Sequence, residues 1–297
     1  MSSENIKLII IYNHQYDRNI EKINRIYQDR FKCIIHLMPF YEGGADNVYP
    51  CYESSYCFQG FIAQQQEHII ENNVDYYVFL ADDCNLNPSI NDDNITDLFQ
   101  LKRNDAFIRN IENLNPRNGM IKIPNTNLYI TKSGIKNGTD LDSNDHFLYL
   151  GRARNRLKNT REFKIEDYIP NKLRRSQKYR KFGLNDVKYS SLLLGWSDLC
   201  IVPKSSIQAF CRYCGVLAAA NVHVELAIPT ALVWSMAETG QIVNETKLNS
   251  AGYYGNQNHV DANVKCIKDI EKLFEDSKCL YVHPIKISKC RIMEEEE

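Results

Sequence analysis

An apolar run that stops abruptly at two adjacent carboxylates is the feature that most constrains the fold. Residues 75–88 read DYYVFLADDCNLNP, and residues 76–81 carry no charged side chain. A continuous aromatic and aliphatic run of this length predicts a strand buried on both faces, in the middle of a largely parallel sheet. Asp82 and Asp83 then follow at its C-terminal end, the edge of an open α/β sheet where the loops leave a crevice for ligands.

The polar residues after this run have the chemistry of a hard-cation site. Asp82, Asp83 and Asn85 offer oxygen ligands of the kind that Mg²⁺ or Mn²⁺ prefers. Two adjacent carboxylates also repel each other unless a cation or hydrogen-bond donors face them. The alternative is a solvated turn, because Asp and Asn are common turn residues. The stretch by itself leaves both interpretations open.

Length and composition are those of an ordinary globular protein. The 297 residues suit one large α/β domain or two smaller ones, with 43% hydrophobic and 25% charged residues. No apolar run approaches the roughly 20 residues that span a bilayer. Glu4 precedes a short apolar run with no small-residue cleavage site, unlike a secretory signal. We therefore expect a cytoplasmic protein.

Cysteine usage indicates reduced thiols rather than a disulfide framework. The chain has ten cysteines, most of them isolated in the sequence. A chain of this length can bury a sufficient core without disulfide bonds. The close pair Cys211 and Cys214 lies in a helical pattern, and no second pair follows at zinc-ribbon spacing. Buried thiols are favoured over metal or redox use.

Charge is strongly concentrated in residues 151–181, which we call the basic segment. It holds twelve Lys or Arg against three acidic residues, in a chain whose net charge is −1. Such a patch attracts anionic partners such as phosphates, nucleic acid or an anionic membrane surface. The alternative is a solvated charged helix. Because the sequence shows no RNA-binding signature, we expect no nucleic-acid partner.

The first third of the chain predicts a βαβ opening. Residues 6–12 form a β-branched run, a helical pattern follows, and residues 31–39 form a second strand, which implies a parallel pair with a right-handed crossover. Residues 39–56 contain Pro and paired Gly and predict a loop. Residues 58–73 predict an amphipathic helix that leads into the central strand.

The rest of the chain predicts mixed elements. We expect a partly helical stretch at 95–114, paired strands at 121–133, a loop at 134–146, helices at 205–220, 226–238 and 266–274, and a final strand at 279–288 interrupted by His283 and Pro284.

Two polar groups interrupt apolar stretches in this second half. Trp196 and Asp198 lie inside the apolar run 189–202 and could present a stacking plane and acceptors to a sugar, or be a core Trp with a capping Asp. His223 and Glu225 lie near a helix start, where a carboxylate can act in acid–base chemistry or simply complement the helix dipole.

Five short pieces together carry a family resemblance. They are YNH at 12–14, ADDCN at 81–85, GWSDLCIVP at 195–203, VHVEL at 222–226 and HPIK at 283–286. With them the chain resembles bacterial glycosyltransferases of the A-type (GT-A) fold, which use nucleotide-sugar donors. The resemblance spans nearly the whole chain, but each piece is short. It implies a Rossmann-like, mostly parallel α/β sheet flanked by helices, with the basic segment inserted.

The resemblance also implies a division of the chain. Residues 1–290 would form a single catalytic domain, followed by an acidic tail at 291–297. Within the domain, residues 1–98 would bind the nucleotide sugar, 99–188 would be an insertion containing the basic segment, and 189–290 would bind the acceptor.

The metal and donor site follow from the family's DxD motif. The matching triplet here is Ala81, Asp82 and Asp83, so the first Asp, which makes the usual ribose contact, is replaced by Ala81. The resemblance implies that Asp83 and His283 hold Mn²⁺ or Mg²⁺. It assigns the donor contacts to Tyr12, Asn13, His14, Asp82 and Lys286.

The resemblance implies an inverting transfer in which Glu225 deprotonates the acceptor hydroxyl. Trp196, Asp198 and His223 would bind the acceptor. The implied activity moves a sugar from a nucleotide-diphosphate donor, with UDP-sugar expected, to a hydroxyl of a glycan or lipid-linked acceptor. The implied setting is surface polysaccharide synthesis, with peripheral contact at the inner membrane face.

Two other functions remain open from the sequence. A sugar nucleotidyltransferase shares the βαβ opening and a metal carboxylate, but its glycine-rich basic loop is replaced here by YNHQYDR. A non-catalytic module could bind anionic partners through the basic segment, although this function would not use the adjacent carboxylates Asp82 and Asp83.

Overall fold

The computed structural model describes residues 4–113, 121–122, 128–131, 134–137, 193–220, 222–239, 243–244, 252–254, 264–275 and 279–291. The basic segment and all but the first residue of the expected acidic tail lie outside these described residues.

Thirteen strands lie in the described part of the chain. They are β1 (Ile6–Ile11), β2 (Cys33–Pro39), β3 (Val48–Cys51), β4 (Tyr76–Ala81), β5 (Asn85–Leu86), β6 (Ala106–Asn113), β7 (Ile121–Lys122), β8 (Leu128–Thr131), β9 (Gly134–Asn137), β10 (Leu193–Pro203), β11 (Val243–Asn244), β12 (Gly252–Tyr254) and β13 (Tyr281–His283).

Seven α-helices and two 3₁₀ turns accompany them. They are α1 (Asp17–Tyr27), α2 (Phe58–Gln64), α3 (Gln66–Ile69), α4 (Ile95–Leu98), α5 (Ile207–Ala219), α6 (Val224–Thr239) and α7 (Ile267–Glu275), with 3₁₀ turns at Ser55–Cys57 and Ile287–Lys289.

The main sheet has seven strands in the order β11-β6-β10-β4-β1-β2-β3. Strand β10 is antiparallel to both of its neighbours, and every other adjacent pair is parallel. Helices α1 and α2 pack on β2, and α5 and α6 pack on β10. The predicted mostly parallel α/β sheet flanked by helices is confirmed.

The two central strands are buried as their apolar sequences predict. All six residues of β1 and all six of β4 are buried. The charged member of β1 is Lys7, whose ammonium group donates to the His68 carbonyl at 2.6 Å and forms an ion pair with Glu71. Because its charge is paired, this lysine is compatible with a buried strand.

The order of strands creates a switch point between β1 and β4. The chain runs from β1 outward through β2 to β3 and then returns to β4 on the other side of β1. In open α/β sheets the connections diverge at such a point, which leaves a crevice at the C-terminal ends of the strands. This crevice lies beside Tyr12 and Asn13 after β1, and beside Asp82 and Asp83 after β4.

Several predicted elements differ from the structure. In the stretch 95–114, only Ile95–Leu98 is helical and Ala106–Asn113 is strand β6, because pairing with β10 outweighs the local pattern. This strand of the main sheet lies within the range 99–188 that was expected to be an insertion.

Smaller differences occur elsewhere. The expected helix at 58–73 is divided into α2 and α3 at Gln65. Val48–Cys51 forms an edge strand inside a predicted loop, a position that tolerates Pro50. Gly134–Asn137 likewise forms β9 in a predicted loop and pairs with β8.

The ten cysteines all lie in the described part of the chain, and none of them is joined in a disulfide bond. Burial raises the pKa of Cys211 to about 12 and that of Cys214 well above its usual value. Both thiols therefore stay protonated, which disfavours a redox or metal role for the pair. No helix among the described residues is long and apolar enough to cross a membrane.

Candidate functional site

Asp82 fastens the end of β4 to the loop after β1. Its backbone N–H donates to the Ile11 carbonyl at 2.9 Å, and its Oδ1 accepts from the backbone N–H and the side-chain Nδ2 of Asn13, both at 3.1 Å. Burial and the neighbouring Asp83 raise the pKa of Asp82 to about 7, although the Asn13 donors lower it. Asp82 thus holds Asn13 in place across the switch point.

Asp83, His283 and Asp198 meet at the same edge of the sheet. Nε2 of His283 lies 3.4 Å from Oδ1 of Asp83 and 3.3 Å from Oδ1 of Asp198. The three side chains are 26%, 18% and 21% exposed for Asp83, His283 and Asp198, so a small ligand can still reach them. We call these three residues the carboxylate–histidine cluster.

His283 reaches the cluster through the second sheet. Strand β13 pairs antiparallel with β5, with Val282 opposite Asn85, and β5 begins two residues after Asp83. The N–H of Ile285 also donates to the Asp83 carbonyl at 2.7 Å, and a cis peptide joins His283 to Pro284. The C-terminal part of the chain is therefore fastened directly to the end of β4.

Asp198 reaches the cluster because β10 is irregular. Trp196 pairs with Arg109 and Cys200 pairs with Ile108, so four steps along β10 correspond to one step along β6. Such a bulge re-aims side chains and is common beside active sites. Regular pairing with β4 resumes at Leu199, opposite Leu80. Asp198 thus lies where β10 leaves the bulge.

The neighbouring carboxylates decide the charge of the histidine. Burial alone would lower the pKa of His283, but Asp198, Asp83 and Glu225 outweigh it and raise the pKa to about 9. Burial raises the pKa of Asp198, His283 lowers it, and Asp83 raises it again. Without a bound cation, the imidazolium therefore supplies the positive charge that holds the carboxylates together.

Glu225 lies in the first turn of α6, and His223 caps this turn. The backbone N–H of Glu225 donates to Nδ1 of His223 at 3.3 Å, which satisfies one of the unpaired amides at the helix start. Because Nδ1 accepts this bond, the proton of the neutral ring lies on Nε2. His223 is only 5% exposed.

Glu225 belongs to the same electrostatic unit as the cluster. Burial and then Asp198 raise the pKa of Glu225 to about 7, while His283 lowers it. A carboxylate with a pKa near neutrality can accept and release a proton at physiological pH. Glu225 is therefore suited to act as a general base beside the cluster.

The remaining predicted residues are placed as follows. Tyr12 is fully buried and its hydroxyl bonds to Nδ1 of His36 at 2.9 Å, so its side chain lies in the core. His14 and Lys286 are exposed, and Lys286 follows His283 by three residues. Trp196 is half-buried on β10 beside the bulge. The structure brings together Asp82 with Asn13, and Asp83 with His283 and Asp198.

The cluster fits a divalent cation by its chemistry rather than by a preformed geometry. Two carboxylates and an imidazole are oxygen and nitrogen ligands suited to Mn²⁺ or Mg²⁺. Oδ1 of Asp83 is buried and makes no hydrogen bond. Within the described ranges, however, no three His, Cys, Asp or Glu side chains are already arranged around a metal position. Nε2 of His283 lies within 3.4 Å of both carboxylates, so binding a cation there requires the imidazolium to give up its proton.

Two residues that the sequence singled out, Asp198 and Asn85, have surroundings in the structure that the sequence did not predict. Asp198 was expected to contact the acceptor, and the structure places it against His283. The polar interruption GWSD within an apolar run identified Asp198 as a candidate site residue, but this local pattern did not predict its contact with His283. Asn85 is fully buried, and neither amide atom of its side chain has a hydrogen-bond partner in the structure. It follows Asp83 by two residues in the sequence and pairs through its backbone with Val282, next to His283.

No family model and no curated protein matches this chain. Among solved structures, it is similar to a glycosyltransferase involved in glycosylation of the major capsid of PBCV-1, with 9% identity, a TM-score of 0.41, and coverage of 93% of this chain and 92% of that chain. It is also similar to WbbM, a bifunctional glycosyltransferase in its apo form, with 13% identity, a TM-score of 0.36, and coverage of 95% and 46%.

A third similar structure is core-mannan synthase A from Aspergillus fumigatus in its Mn/GDP form, with 10% identity, a TM-score of 0.33, and coverage of 82% and 73%. This chain thus spans less than half of WbbM and most of the other two. All three of these similar structures are glycosyltransferases, at identities and TM-scores too low to define a family or a substrate.

Proposed function

We propose that this protein is a metal-dependent glycosyltransferase that moves a sugar from a nucleoside-diphosphate donor to an acceptor hydroxyl. The observation that carries the proposal is the meeting of Asp83, Asp198 and His283 at the switch point, with Glu225 in the same electrostatic field. Such a transfer needs two things: charge compensation for a departing diphosphate and a base for the incoming hydroxyl. The cluster supports the first and Glu225 supports the second. The sequence resemblance supports the same assignment.

Asp83, His283 and Asp198 would hold Mn²⁺ or Mg²⁺. A cation bound there would act as a Lewis acid that neutralises negative charge on the diphosphate leaving group. Lys286, exposed three residues after His283, adds a fixed positive charge on the same loop. Asp82 would have a different role. It accepts hydrogen bonds from the backbone N–H and the side-chain amide of Asn13, and so would position Asn13 at the donor side of the crevice.

Glu225 would accept the proton of the acceptor hydroxyl as the oxygen attacks the anomeric carbon. Its elevated pKa makes it a stronger base than an exposed glutamate, and His223 fixes the backbone that carries it. A base on the face opposite the leaving diphosphate gives in-line attack and inversion at the anomeric carbon.

The finer assignments extend this proposal. The donor would be a UDP-sugar, and the acceptor a glycan or lipid-linked glycan in surface polysaccharide synthesis. The basic segment would bind a phosphate-bearing acceptor and bring the protein to the inner membrane face. The excess of nine positive charges in residues 151–181 supports this role.

The test is donor turnover with and without Mn²⁺. The protein is incubated with UDP-glucose, UDP-galactose, UDP-N-acetylglucosamine or GDP-mannose, and release of UDP or GDP is followed. We expect release with at least one donor, and loss of release when EDTA removes the cation. Pyrophosphate release from a nucleoside triphosphate and a sugar 1-phosphate would instead identify a nucleotidyltransferase.

A further inference from the structure

Four large aromatic side chains are exposed in the described residues, and all follow the C-terminal ends of the first three strands. Tyr16 is in the loop after β1, Phe40 follows β2 directly, and Tyr52 and Tyr56 follow β3. They therefore lie along the same sheet edge as the candidate site. An exposed aromatic ring can bind the apolar face of a ligand, so the contacts of each ring decide which of the four is placed to serve the candidate site.

Tyr56 is distinguished from the other three by its contact with His223, the residue that caps the helix start carrying the candidate base Glu225. Its ring lies 5.9 Å from the ring of His223, at an interplanar angle of 37°. His223 in turn caps the turn that holds Glu225. Tyr56 is 48% exposed while His223 is 5% exposed, so the tyrosine covers the histidine and presents the rest of its ring to solvent.

The backbone around Tyr56 is held rigidly against the start of α6. Tyr56 lies in the 3₁₀ turn Ser55–Cys57, which leads directly into α2. The fully buried Gln59 of α2 donates from Nε2 to the Val222 carbonyl at 2.6 Å, and Val222 immediately precedes His223. Helix α2 also packs on α5 and α6. The backbone that carries Tyr56 is therefore joined to the helix start that carries Glu225.

We propose that the exposed ring of Tyr56 is the stacking platform for the pyranose ring that carries the reacting acceptor hydroxyl. The inference rests on the proposed glycosyl transfer to a glycan and adds the residue that would hold the sugar ring of that acceptor, in preference to an open-chain alcohol. The apolar C–H face of a pyranose matches the negative face of an aromatic ring, while its hydroxyls remain free to bond elsewhere. A sugar held on Tyr56 would be placed beside the base that must remove its proton.

The donor nucleotide is a less suitable occupant of this surface. Its diphosphate is expected at the ends of β1 and β4, near Asn13 and the cluster. Tyr56 instead contacts the helix start that carries the base. A base that serves the acceptor must lie on the acceptor side of the crevice, and so must the ring next to it.

The test compares Tyr56→Ala and Tyr56→Phe with the wild-type protein and with the control Tyr52→Ala. Tyr52 is 67% exposed and packs on Phe40, with no contact to His223 in the structure described. The donor is whichever nucleotide sugar the wild type turns over with Mn²⁺. The acceptor probes are methyl β-D-glucopyranoside, methyl β-D-galactopyranoside and methyl α-D-mannopyranoside, with glycerol as the open-chain alcohol.

We expect at least one pyranoside to accelerate donor consumption beyond glycerol at equal concentration. Tyr56→Ala should raise the KM for that pyranoside about tenfold or more, and leave donor hydrolysis by water and the Kd for UDP with Mn²⁺ within about twofold. Tyr56→Phe keeps the ring and should stay near wild type, as should Tyr52→Ala.

The possible failures are distinguishable. If Tyr56→Ala turns over the donor normally and its KM for the pyranoside is unchanged, the stacking role alone is overturned. No preference for any pyranoside over glycerol overturns the acceptor class. A raised Kd for UDP in Tyr56→Ala assigns the ring to the nucleotide and also overturns the inference. A wild-type protein that turns over no donor and binds no UDP with Mn²⁺ overturns the proposed function and the inference with it.

Discussion

Nε2 of His283 lies 3.3 Å from Oδ1 of Asp198, a contact that joins the last strand to the antiparallel strand of the main sheet. Oδ1 of Asp83 lies 3.4 Å from the same nitrogen. The three side chains come from separate regions of the sequence and meet because β13 pairs with β5 and β10 bulges beside β4. Because the three side chains meet at one place, single substitutions can test whether each of them contributes to the same binding site.

Asp198→Asn should weaken Mn²⁺-dependent binding of UDP as strongly as Asp83→Asn does. Removal of a partner beside a metal ligand costs about tenfold to hundredfold in affinity, and loss of a ligand should cost at least that. Calorimetric titration of UDP in the presence of Mn²⁺ measures the effect. Asp93→Asn, which changes an exposed aspartate outside the cluster, is the control. If Asp198→Asn binds like the wild type while Asp83→Asn does not, Asp198 is outside the metal site.

Affinity for Mn²⁺ should rise with pH because His283 must lose a proton to bind it. The carboxylates raise the pKa of His283 to about 9, so the ring is charged at neutral pH in the metal-free protein. The Kd for Mn²⁺ should therefore fall about tenfold per pH unit between roughly pH 6.5 and 8.5. Calorimetry in two buffers of different ionisation enthalpy should detect about one proton released per cation. His283→Gln removes this proton, and a wild-type protein that releases none would contradict the assignment.

Local sequence signals predicted the part of the site that depends on β1 and β4. Their apolar runs, interrupted in β1 by Lys7, identify buried parallel strands, and the carboxylates that follow β4 must then lie at the ligand edge. The same reasoning could not place Asp198, because its position depends on a bulge in the pairing of β10 with β6. Nor could it find β6, because its sequence AFIRNIEN lacks the regular polar–apolar alternation of a half-buried strand and is defined as a strand by its pairing with β10. Long-range pairing, unlike periodicity, leaves no local pattern.

His36 should make the fold sensitive to acid. It is fully buried, its Nδ1 accepts from the Tyr12 hydroxyl, and its Nε2 donates to Oδ1 of Asn24, each at 2.9 Å. Burial lowers its pKa to about 4, so the folded protein holds the neutral ring. The folded pKa of His36 lies below its unfolded value of about 6.5. The contribution of neutral His36 to the free energy of unfolding is therefore complete above pH 6.5 and is lost as the pH falls toward 4.

The expected loss from this histidine between pH 7 and pH 5 is about 2 kcal/mol of unfolding free energy. Urea unfolding at the two pH values measures it. His36→Gln should be less stable at pH 7, because it disrupts buried hydrogen bonds, yet its further loss at pH 5 should be smaller than that of the wild type by about the same 2 kcal/mol. An equal loss in both proteins would show that other groups govern the acid response.

Gly195 should be required for close packing between β10 and α6. A Cβ at this position would lie 3.0 Å from Cβ of Pro229 and 3.4 Å from the Arg109 carbonyl oxygen. Gly195→Ala should therefore destabilise the protein by about 1–3 kcal/mol, the usual cost of overpacking. Gly44→Ala is the matched control, because a Cβ there meets nothing within 4 Å. Thermal unfolding of both variants measures the difference, and equal melting temperatures would exclude a tight contact at Gly195.

Glu225→Gln should separate binding from chemistry. Glutamine keeps the size of the side chain and the backbone N–H that bonds to His223, so the Kd for UDP with Mn²⁺ and the melting temperature should change little. Turnover with an acceptor should fall by about 10²-fold to 10⁴-fold, the range for loss of a general base. Glu67→Gln, at a side chain 80% exposed, is the control for removal of a surface carboxylate. A lower melting temperature with near-normal turnover would instead identify a charge that only stabilises the helix start.

The pH profile provides the second readout for Glu225, and its direction follows from the role of the carboxylate. A general base works in its ionised form, so turnover should rise about tenfold per pH unit below the pKa of Glu225 and level above it. Burial raises this pKa to about 7 in the metal-free protein. A bound cation in the neighbouring cluster favours the ionised carboxylate, so the rise should level below pH 7 in the working enzyme. In Glu225→Gln the residual turnover should lose this rise. The anomeric configuration of the wild-type product, read by NMR, completes the argument, because a product that retains the donor configuration is incompatible with a single in-line attack assisted by Glu225.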